Sequence, residues 1–558
     1  MERSPQSARG TKKIKILGQP GDNETEMHSI AMEKGFDSEL PGKVEDEARE
    51  IKKAGIQPSD YTGRRDFRKT LTFTIDPADA KDFDDAISFR ILPSLGKEGT
   101  GGGNSKNHQQ TPTTPHSPPR AGGEELYEIG IHIADVSHYV KPGSMLDKEA
   151  IGRGTSVYLV DRTIPMLPEI LSNDLCSLVP NKDRLTMSAV FVIDKNAKVK
   201  SEWFGRTIIH SQKRFTYEEA EESIKRAGTP LHKELSTLNN LAKLLTAERF
   251  RMGAISLDQE EVKFVLDEKG VPLKVIKKER GDSNRLIEEF MLLANKKVAE
   301  VLTPKKGKGK NKAESEGVSI YRIHDLPSKE KMADLAFFLR SLGHKVSLVD
   351  GIIPSHEINK LLKSLDADDE KSTMSDTVHR AVIRSMAKAI YSTKNIGHYG
   401  LAFEYYTHFT SPIRRYPDIM VHRLLADHLA GKKVSKERAF EYEKTAITAS
   451  QQEKRASDAE RASIKYKQVE YMSKRTGEEF KGVISGITEW GIYVEEIETK
   501  CEGLVRVRDM SDDFYIFNEK KLELVGQKKK RKYTLGDKVK VKVKGVDLER
   551  KTIDYILI

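Results

Sequence analysis

Five aspartates fall within ten residues of one stretch, Thr74-Ile-Asp76-Pro-Ala-Asp79-Ala-Lys-Asp82-Phe-Asp84-Asp85-Ala86. Carboxylates this close repel one another and raise each other's pKa unless cations neutralise them. An all-oxygen donor set suits hard divalent ions such as Mg2+ or Mn2+. Asp82 and Asp84 point to the same side of an extended segment. Asp76, closing a strand-like run, joins them if the loop folds back. A calcium loop fits poorly, because Lys81 and Ile87 stand where its turn glycine and twelfth-position glutamate belong. A solvated acidic loop is the bland alternative, but apolar Phe83, Ala86 and Ile87 among the carboxylates favour side chains held in place. Mg2+ held by few protein ligands keeps positions for water and phosphate. Two such ions about 4 Å apart can serve an in-line phosphoryl displacement.

A basic constellation follows far along the chain, Thr407-His-Phe-Thr-Ser-Pro-Ile-Arg414-Arg415-Tyr416-Pro-Asp418. Its two prolines bracket a short segment that presents both arginines at a helix entrance, where a guanidinium can clamp a phosphate or offset developing charge. A structural arginine paired with a core carboxylate is an equal reading for either one, and Asp418 can simply cap the helix. His132, Asp135 and His138 lack a third nitrogen or sulfur ligand and read as hydrogen-bonded strand residues. Tyr158 is either core or a base-stacking ring. Glu460 reads most simply as one half of an i,i+4 pair.

These residues need elements to hold them. Periodicity predicts strands in LTFTID, YEIGIHIADVSHYV and LTMSAVFVIDKNAKV, and helices over 218–227, 230–251, 284–301, 375–392, 418–429 and 436–471. From residue 477 onward the chain reads as short alternating strands, which places a domain boundary near 475–476. Three stretches read as surface loops that do not fold: a Gly/Pro/Ser-rich insertion over 93–123 between two strands, a basic loop over 303–317, and QKKKRK over 527–532. The two Lys-rich ones can graze a nucleic-acid backbone. The 558 residues allow three to five domains, or one large catalytic body with modules. The surplus of 95 Lys+Arg over 85 Asp+Glu, net +10, suggests a polyanionic partner. No apolar run reaches the ~18–20 residues of a membrane span, and the polar, basic start argues against a secretory signal. Cys176 and Cys501 supply neither a disulfide framework nor a Cys-rich zinc site. A cytoplasmic location is therefore expected. Acidic cluster and basic surplus together point to phosphodiester cleavage.

The motifs TIDPADAKDFDDA, HIADVSHYV, RGTSVYLVDRTIPMLPEILSNDLCSL, RLIEEFMLLAN and HFTSPIRRYPDIMVHRLL together resemble the catalytic domain of the ribonuclease II / ribonuclease R family, ribonuclease R the more closely. The C-terminal part resembles an S1 domain, an OB-fold barrel that binds single-stranded RNA. The resemblance implies an α+β architecture: 1–70 as a linker or remnant, 71–475 as an RNB catalytic domain with a mixed sheet and surrounding helices, and 476–558 as an all-β S1 barrel. It implies a processive 3′→5′ hydrolytic exoribonuclease releasing nucleoside 5′-monophosphates with one or two Mg2+ ions, for which Mn2+ can substitute. Carried over residue by residue, Asp76, Asp82, Asp84 and Asp85 match the metal-site aspartates, with Asp79 outside the pattern. Asp84 and Arg414 match the positions on which catalysis rests. Tyr158 matches a ring stacking near the 3′-terminal base, and Glu460 a glutamate nearby. Arg415 joins Arg414 in the expected RNA contacts. Phe480, Trp490 and Tyr493 match the barrel's aromatic RNA face, Phe480 being the one expected to be partly buried. Arg506 stands where histidine is common.

The expected partners are RNA 3′ ends, single-stranded or overhanging a structured region, met by a monomer with no membrane. The family pattern places two cold-shock-type domains before the catalytic body. Here about seventy residues precede the Asp cluster, those over 14–35 resembling the linker after such domains, and the Lys-rich tail is also missing. A shorter binding path of this kind predicts weaker affinity and a shallower salt dependence. Rival readings are a non-catalytic RNA binder, a metal-dependent DNase and a basic interaction scaffold, with phosphorolysis as a mechanistic variant.

Overall fold

The computed structural model describes residues 16–93, 125–256, 261–303, 318–366, 372–519 and 521–558. At its centre lies a seven-stranded sheet: β1 (Arg65–Asp66), β2 (Thr72–Asp76), β3 (Asp85–Leu92), β4 (Leu126–Ala134), β5 (Asp183–Asp194), β6 (Val199–His210) and β7 (Lys213–Thr216). Their order across the sheet is β1-β6-β5-β4-β3-β2-β7. The inner pairs are antiparallel, and the two edge pairs, β1 with β6 and β2 with β7, are parallel. Helices cover it, so β2 and β4 are almost wholly buried, their polar side chains included. One polar staple crosses the middle of the sheet. The His132 ring on β4 hydrogen-bonds the Ser88 hydroxyl of β3 at 2.8 Å and the Ser188 hydroxyl of β5 at 2.7 Å.

Several expected elements change at their ends. β4 stops at Ala134, and Val136–Tyr139 turns into a short helix, so HIADVSHYV is a strand and then a helical turn. The helix expected over 375–392 runs Ser372–Ser385, and Ile390–Ser392 forms a strand paired with Tyr321–Ile323. The stretch before the sheet is more than a remnant. It carries helices Asn23–Glu33 and Gly42–Ala54. Val44 and Ala48, one helical turn apart, enter the main core, while Met27, Ile30 and Phe36 pack with Ala459 and Tyr466. Leu92 sits opposite Leu126, so the insertion expected over 93–123 joins two paired strands. Beyond Pro93 that insertion lies outside the described residues, as does the loop over 303–317 beyond Thr303.

A second body is a closed five-stranded barrel, β8 (Glu479–Thr488), β9 (Gly491–Glu496), β10 (Glu502–Arg506), β14 (Lys538–Asp547) and β15 (Thr552–Leu557). Between β10 and β14 the chain makes a three-stranded meander, β11 (Tyr515–Asn518), β12 (Glu523–Gly526) and β13 (Lys532–Thr534). The run QKKKRK is therefore not an unfolded loop: it forms the β12–β13 connection and the start of β13.

The 38-residue helix Lys436–Ser473 joins the two bodies. Tyr442, Ala446 and Ala449 lie in the main core, and Val469 and Met472 in the barrel core. Between these ends Lys467 is fully buried and donates to the Gly270 carbonyl and the Glu470 carboxylate, both at 2.7 Å. Side chains also bridge the bodies: Arg380 pairs with Glu495, and Lys500 with Asp376 at 2.6 Å.

Candidate metal and nucleic-acid site

The Asp cluster occupies the end of β2, the loop after it and the first residue of β3. That loop is pinned by backbone and side-chain bonds from remote segments. The Ser177 hydroxyl accepts from Phe83 N at 3.0 Å and donates to the Lys81 carbonyl at 2.7 Å. Leu178 N donates to the Phe83 carbonyl, and Ala134 N to the Asp84 carbonyl. On β7, Arg214 stands opposite Thr74 in register. Its Nη2 donates to the carbonyls of Pro77 at 2.5 Å and Ala78 at 3.1 Å, and its guanidinium lies 5.4 Å from the Phe83 ring centre. The outlying Asp79 is drawn away by Lys263 at 3.3 Å.

Asp76 is 9% exposed and Asp84 4%. Burial pushes the carboxyls of Asp76, Asp82, Asp84 and Asp85 upward. Mutual repulsion adds to this: Asp84 and Asp82 act on Asp76, Asp82 and Asp85 act on Asp84, and Asp76 acts on Asp85. Arg414 opposes the rise at Asp82, Asp84 and Asp85. Two buried oxygens, Asp76 Oδ2 and Asp84 Oδ2, have no hydrogen-bond partner. Buried acceptors left in that state are costly unless something satisfies them. Among the described residues no three acidic, imidazole or thiol side chains already converge at metal-ligand distance. The chemistry of the donor set nevertheless fits a hard divalent cation: all oxygens, clustered, buried, and partly unpartnered.

The arginine segment closes over this cluster. Ile413 N donates to Asp84 Oδ1 at 2.8 Å, and Arg414 Nε lies 3.4 Å from Asp84 Oδ2. Arg414 Nη2 is held by the Ser411 hydroxyl at 3.0 Å, yet the side chain stays 43% exposed. Arg415 does something else. Its guanidinium turns inward and donates to Asp418 Oδ1 at 2.8 Å, with Asp418 fully buried. The same Asp418 oxygen accepts from Ser411 N. Of the two readings of Arg415 the contacts support the structural one: its guanidinium neutralises a buried carboxylate that fixes the loop. Asp418 accordingly braces that loop as well as sitting in the first turn of helix Tyr416–Leu429.

Tyr158 is brought to the site by backbone pairing. Ser156 N and the Thr155 hydroxyl both donate to the Arg414 carbonyl at 3.0 Å. The Tyr158 ring is 38% exposed, and burial pushes its hydroxyl up to about 12, with Arg414, Asp82 and Asp84 all acting on it. Glu460 lies on the exposed face of the long helix, close enough for Glu261 and Lys278 of the hairpin 261–278 to act on it. Among the described residues it makes no ion pair, so the expected i,i+4 partner is not there. His132 and Asp135 are buried and structural. Asp135 is held by Arg64 at 2.8 Å, which keeps its carboxyl down at about 2 against the opposing effect of burial.

On the barrel the expected aromatics separate. Trp490, in the β8–β9 turn, is 68% exposed. The Tyr493 ring is half-buried and lies across Gly486, whose added Cβ would meet it at 3.4 Å. Phe480 is half-buried, like Tyr493, and packs against the barrel core. Arg506 pairs with Asp554 at 3.1 Å. Ser177 and Arg214 were not singled out from sequence. Ser177 lies within the recognised LSNDLCSL motif, but nothing local ties it to the Asp loop.

This constellation defines a nucleic-acid-cleaving class: clustered buried carboxylates closed over by an arginine, joined to an OB-type barrel. The comparisons name it. The RNB domain family matches residues 64–431, and the S1 RNA-binding domain family matches 473–555. The chain is 37% identical to ribonuclease R of Thermotoga maritima over its whole length, covering 73% of that protein. It is 36% identical to ribonuclease R of Aquifex aeolicus, covering 99% of this chain and 72% of the relative. Ribonuclease R of Mycoplasma genitalium, solved with ribose-methylated single-stranded RNA, superposes with a TM-score of 0.83 at 29% identity, covering 98% of this chain and 79% of that one. The chain belongs to the ribonuclease R group of the RNB family, which are 3′→5′ exoribonucleases. RNB nucleases generally depend on divalent metal.

Proposed function

We propose that this chain hydrolyses RNA processively from its 3′ end, releasing nucleoside 5′-monophosphates. The observation that carries the reading is the closure of Arg414 and the Ile413 amide onto Asp84, beside buried Asp76 and half-buried Asp82 and Asp85. Asp76, Asp82, Asp84 and Asp85 are the groups to hold one or two Mg2+ ions. Bound there, the cation supplies activation of the attacking water and stabilisation of the leaving 3′ oxygen. The protein supplies the rest. Asp84 and Arg414 hold each other in place, and the exposed part of the Arg414 guanidinium faces the charge that builds on the scissile phosphate. Tyr158, fixed beside Arg414 through Ser156 and Thr155, stacks the terminal base and sets the register of the bond to be cut. Trp490 and Tyr493 offer stacking surfaces to the strand further back. An RNA with a 3′ overhang on a structured region is an allowed substrate, in keeping with the Mycoplasma genitalium relative having also been solved with double-stranded RNA.

The test uses a 5′-labelled single-stranded RNA, its DNA equivalent and a 3′-tailed hairpin, each with Mg2+ or EDTA, for wild type and Asp84→Asn. RNA-only shortening to a small limit product, lost in EDTA and in the variant with binding retained, is the expected result. Mononucleotide products formed without added phosphate separate hydrolysis from phosphorolysis. Binding without shortening in Mg2+ would overturn the catalytic reading, and equal shortening of DNA would overturn the RNA assignment.

A further inference from the structure

The meander β11–β12–β13 has two unlike faces. Phe517, Leu524 and Tyr533 are cross-strand neighbours on the inner face, and all pack with the barrel core. Ile516, Val525 and Lys532 are cross-strand neighbours on the outer face. Phe514, two residues before Ile516, extends that row. Phe514 is 70% exposed and Ile516 49%, which makes this an apolar strip open to solvent. At its end the β12–β13 connection and the first residue of β13 carry five consecutive cations, Lys528 to Lys532.

That connection is built, not loose. The Asp513 carboxylate accepts from Lys528 N at 2.9 Å and Lys529 N at 2.6 Å, and Gln527 N donates to the Phe514 carbonyl. Asp513 thus spends its acceptors on backbone and leaves the lysine side chains outside. Lys529 meets Asp512 only at 3.8 Å and Lys532 meets Glu523 at 3.5 Å. Among the described residues Lys528 and Lys530 have no carboxylate at ion-pair distance. Arg531 lies over the Tyr533 ring at 4.9 Å, and the exposed Phe514 and Ile516 beside Lys528 and Lys530 match what a single strand offers: faces of bases along a line of phosphates.

We propose that the outer face of this meander is a second contact surface for single-stranded RNA. It takes a stretch of strand upstream of that held by the barrel's Trp490 and Tyr493 and by the Asp cluster. The inference rests on the RNA reading above and extends it to a surface that the catalytic steps do not use.

The experiment measures equilibrium binding by fluorescence anisotropy in EDTA, with the full chain and two unstructured RNAs. One is short enough to fill only the path to the Asp cluster, and the other is long. The variants are the pair Lys528→Glu/Lys530→Glu and, separately, Phe514→Ala. Both change exposed side chains, and melting temperatures confirm the fold. Loss of two phosphate contacts lowers the log–log salt slope for long RNA by about 1.4. We expect long RNA to bind about tenfold more weakly in the charge-reversed pair and about fivefold more weakly in Phe514→Ala. Short RNA keeps its affinity in both. Parallel weakening of short and long RNA, or no change in either, overturns the proposal. So does a loss of binding to phosphatidylserine vesicles with RNA affinity untouched, which would assign the face to a membrane. Failure of the wild type to bind either RNA would sink the broader RNA reading itself, a result distinct from failure of this surface alone.

Discussion

Arg414 and Arg415 are chemically identical neighbours with opposite fates. Arg414 leaves 43% of its side chain exposed beside Asp84, whereas Arg415 is spent on fully buried Asp418. The same contrast holds between the bodies that surround them. The Asp cluster is gathered under tension, with like charges buried and held by Ser177, Arg214, Ala134 and the 411–414 loop. On the barrel Trp490 stands open to solvent, while Tyr493 and Phe480 are half-buried and Arg506 pairs with Asp554. The candidate metal site is assembled from distant segments that must fold together, whereas the Trp490 side chain stands in the open on a turn of the barrel.

The most severe break is at the cluster itself. Asp84→Asn, or chelation of divalent ions, should cut hydrolysis on the order of 10³-fold or more, since several kcal/mol of charge stabilisation is at stake. RNA binding in EDTA should persist. Single-turnover kinetics beside anisotropy read both quantities.

The two arginines sharpen the comparison. Arg414→Ala should lower kcat by about 10²–10³ and lower the denaturation midpoint less than Arg415→Ala does, because its side chain is already 43% exposed. Arg415→Ala should act the other way round, destabilising the catalytic body by about 3–5 kcal/mol because Asp418 is left buried and unpaired. Denaturant melts alongside rate measurements on residual folded protein separate the two, and an Arg415→Ala that folds normally but binds RNA poorly would reverse the assignment.

The barrel should respond more mildly. Trp490→Ala should cost about 1–3 kcal/mol of RNA affinity with little effect on stability. Phe480→Ala should instead destabilise the barrel, by about 2 kcal/mol, because its ring packs on the core.

The smallest effect is a slope. The cluster's carboxyls lie above the ordinary value of about 3.9, so the folded, metal-free protein binds more protons than the unfolded chain above that pH. Its stability therefore falls as pH rises from about 4 through the raised pKa values, by up to about 1.4 kcal/mol per pH unit for each extra proton held. Thermal melts in EDTA across pH should show the fall. Asp84→Asn should flatten it, and Mg2+ should oppose it at the alkaline end.

Much of this site was legible in the sequence because its residue types are improbable together. Five aspartates in ten residues announce themselves, and so does an arginine pair between prolines. Which arginine turns inward was not legible, because it depends on Asp418 being buried by the fold around it. Ser177 and Arg214 were missed for a related reason: their partners are Lys81, Phe83, Pro77 and Ala78, far away in sequence. The helix Gly42–Ala54 did leave a signal, apolar Val44, Ala48 and Ile51 at helical spacing, which the charged residues between them obscured. The basic run over 527–532 looked unfolded by composition, but Asp513, fourteen residues before Gln527, supplies the acceptors that order its turn. Local composition reports solvation well and long-range bonding poorly.

The shared helix bears on how this enzyme can be taken apart and rebuilt. A cut near residue 475 looks natural from composition, yet it would leave Val469 and Met472 on the wrong piece and open a hole in the barrel. A graft that exchanged barrels between relatives would have to carry the last two turns of the helix with it. Since that helix rises about 1.5 Å per residue without a break, adding or deleting a residue in it would rotate one body against the other by about 100°. Length variation between homologues should therefore collect in the loops, and this segment should keep its register.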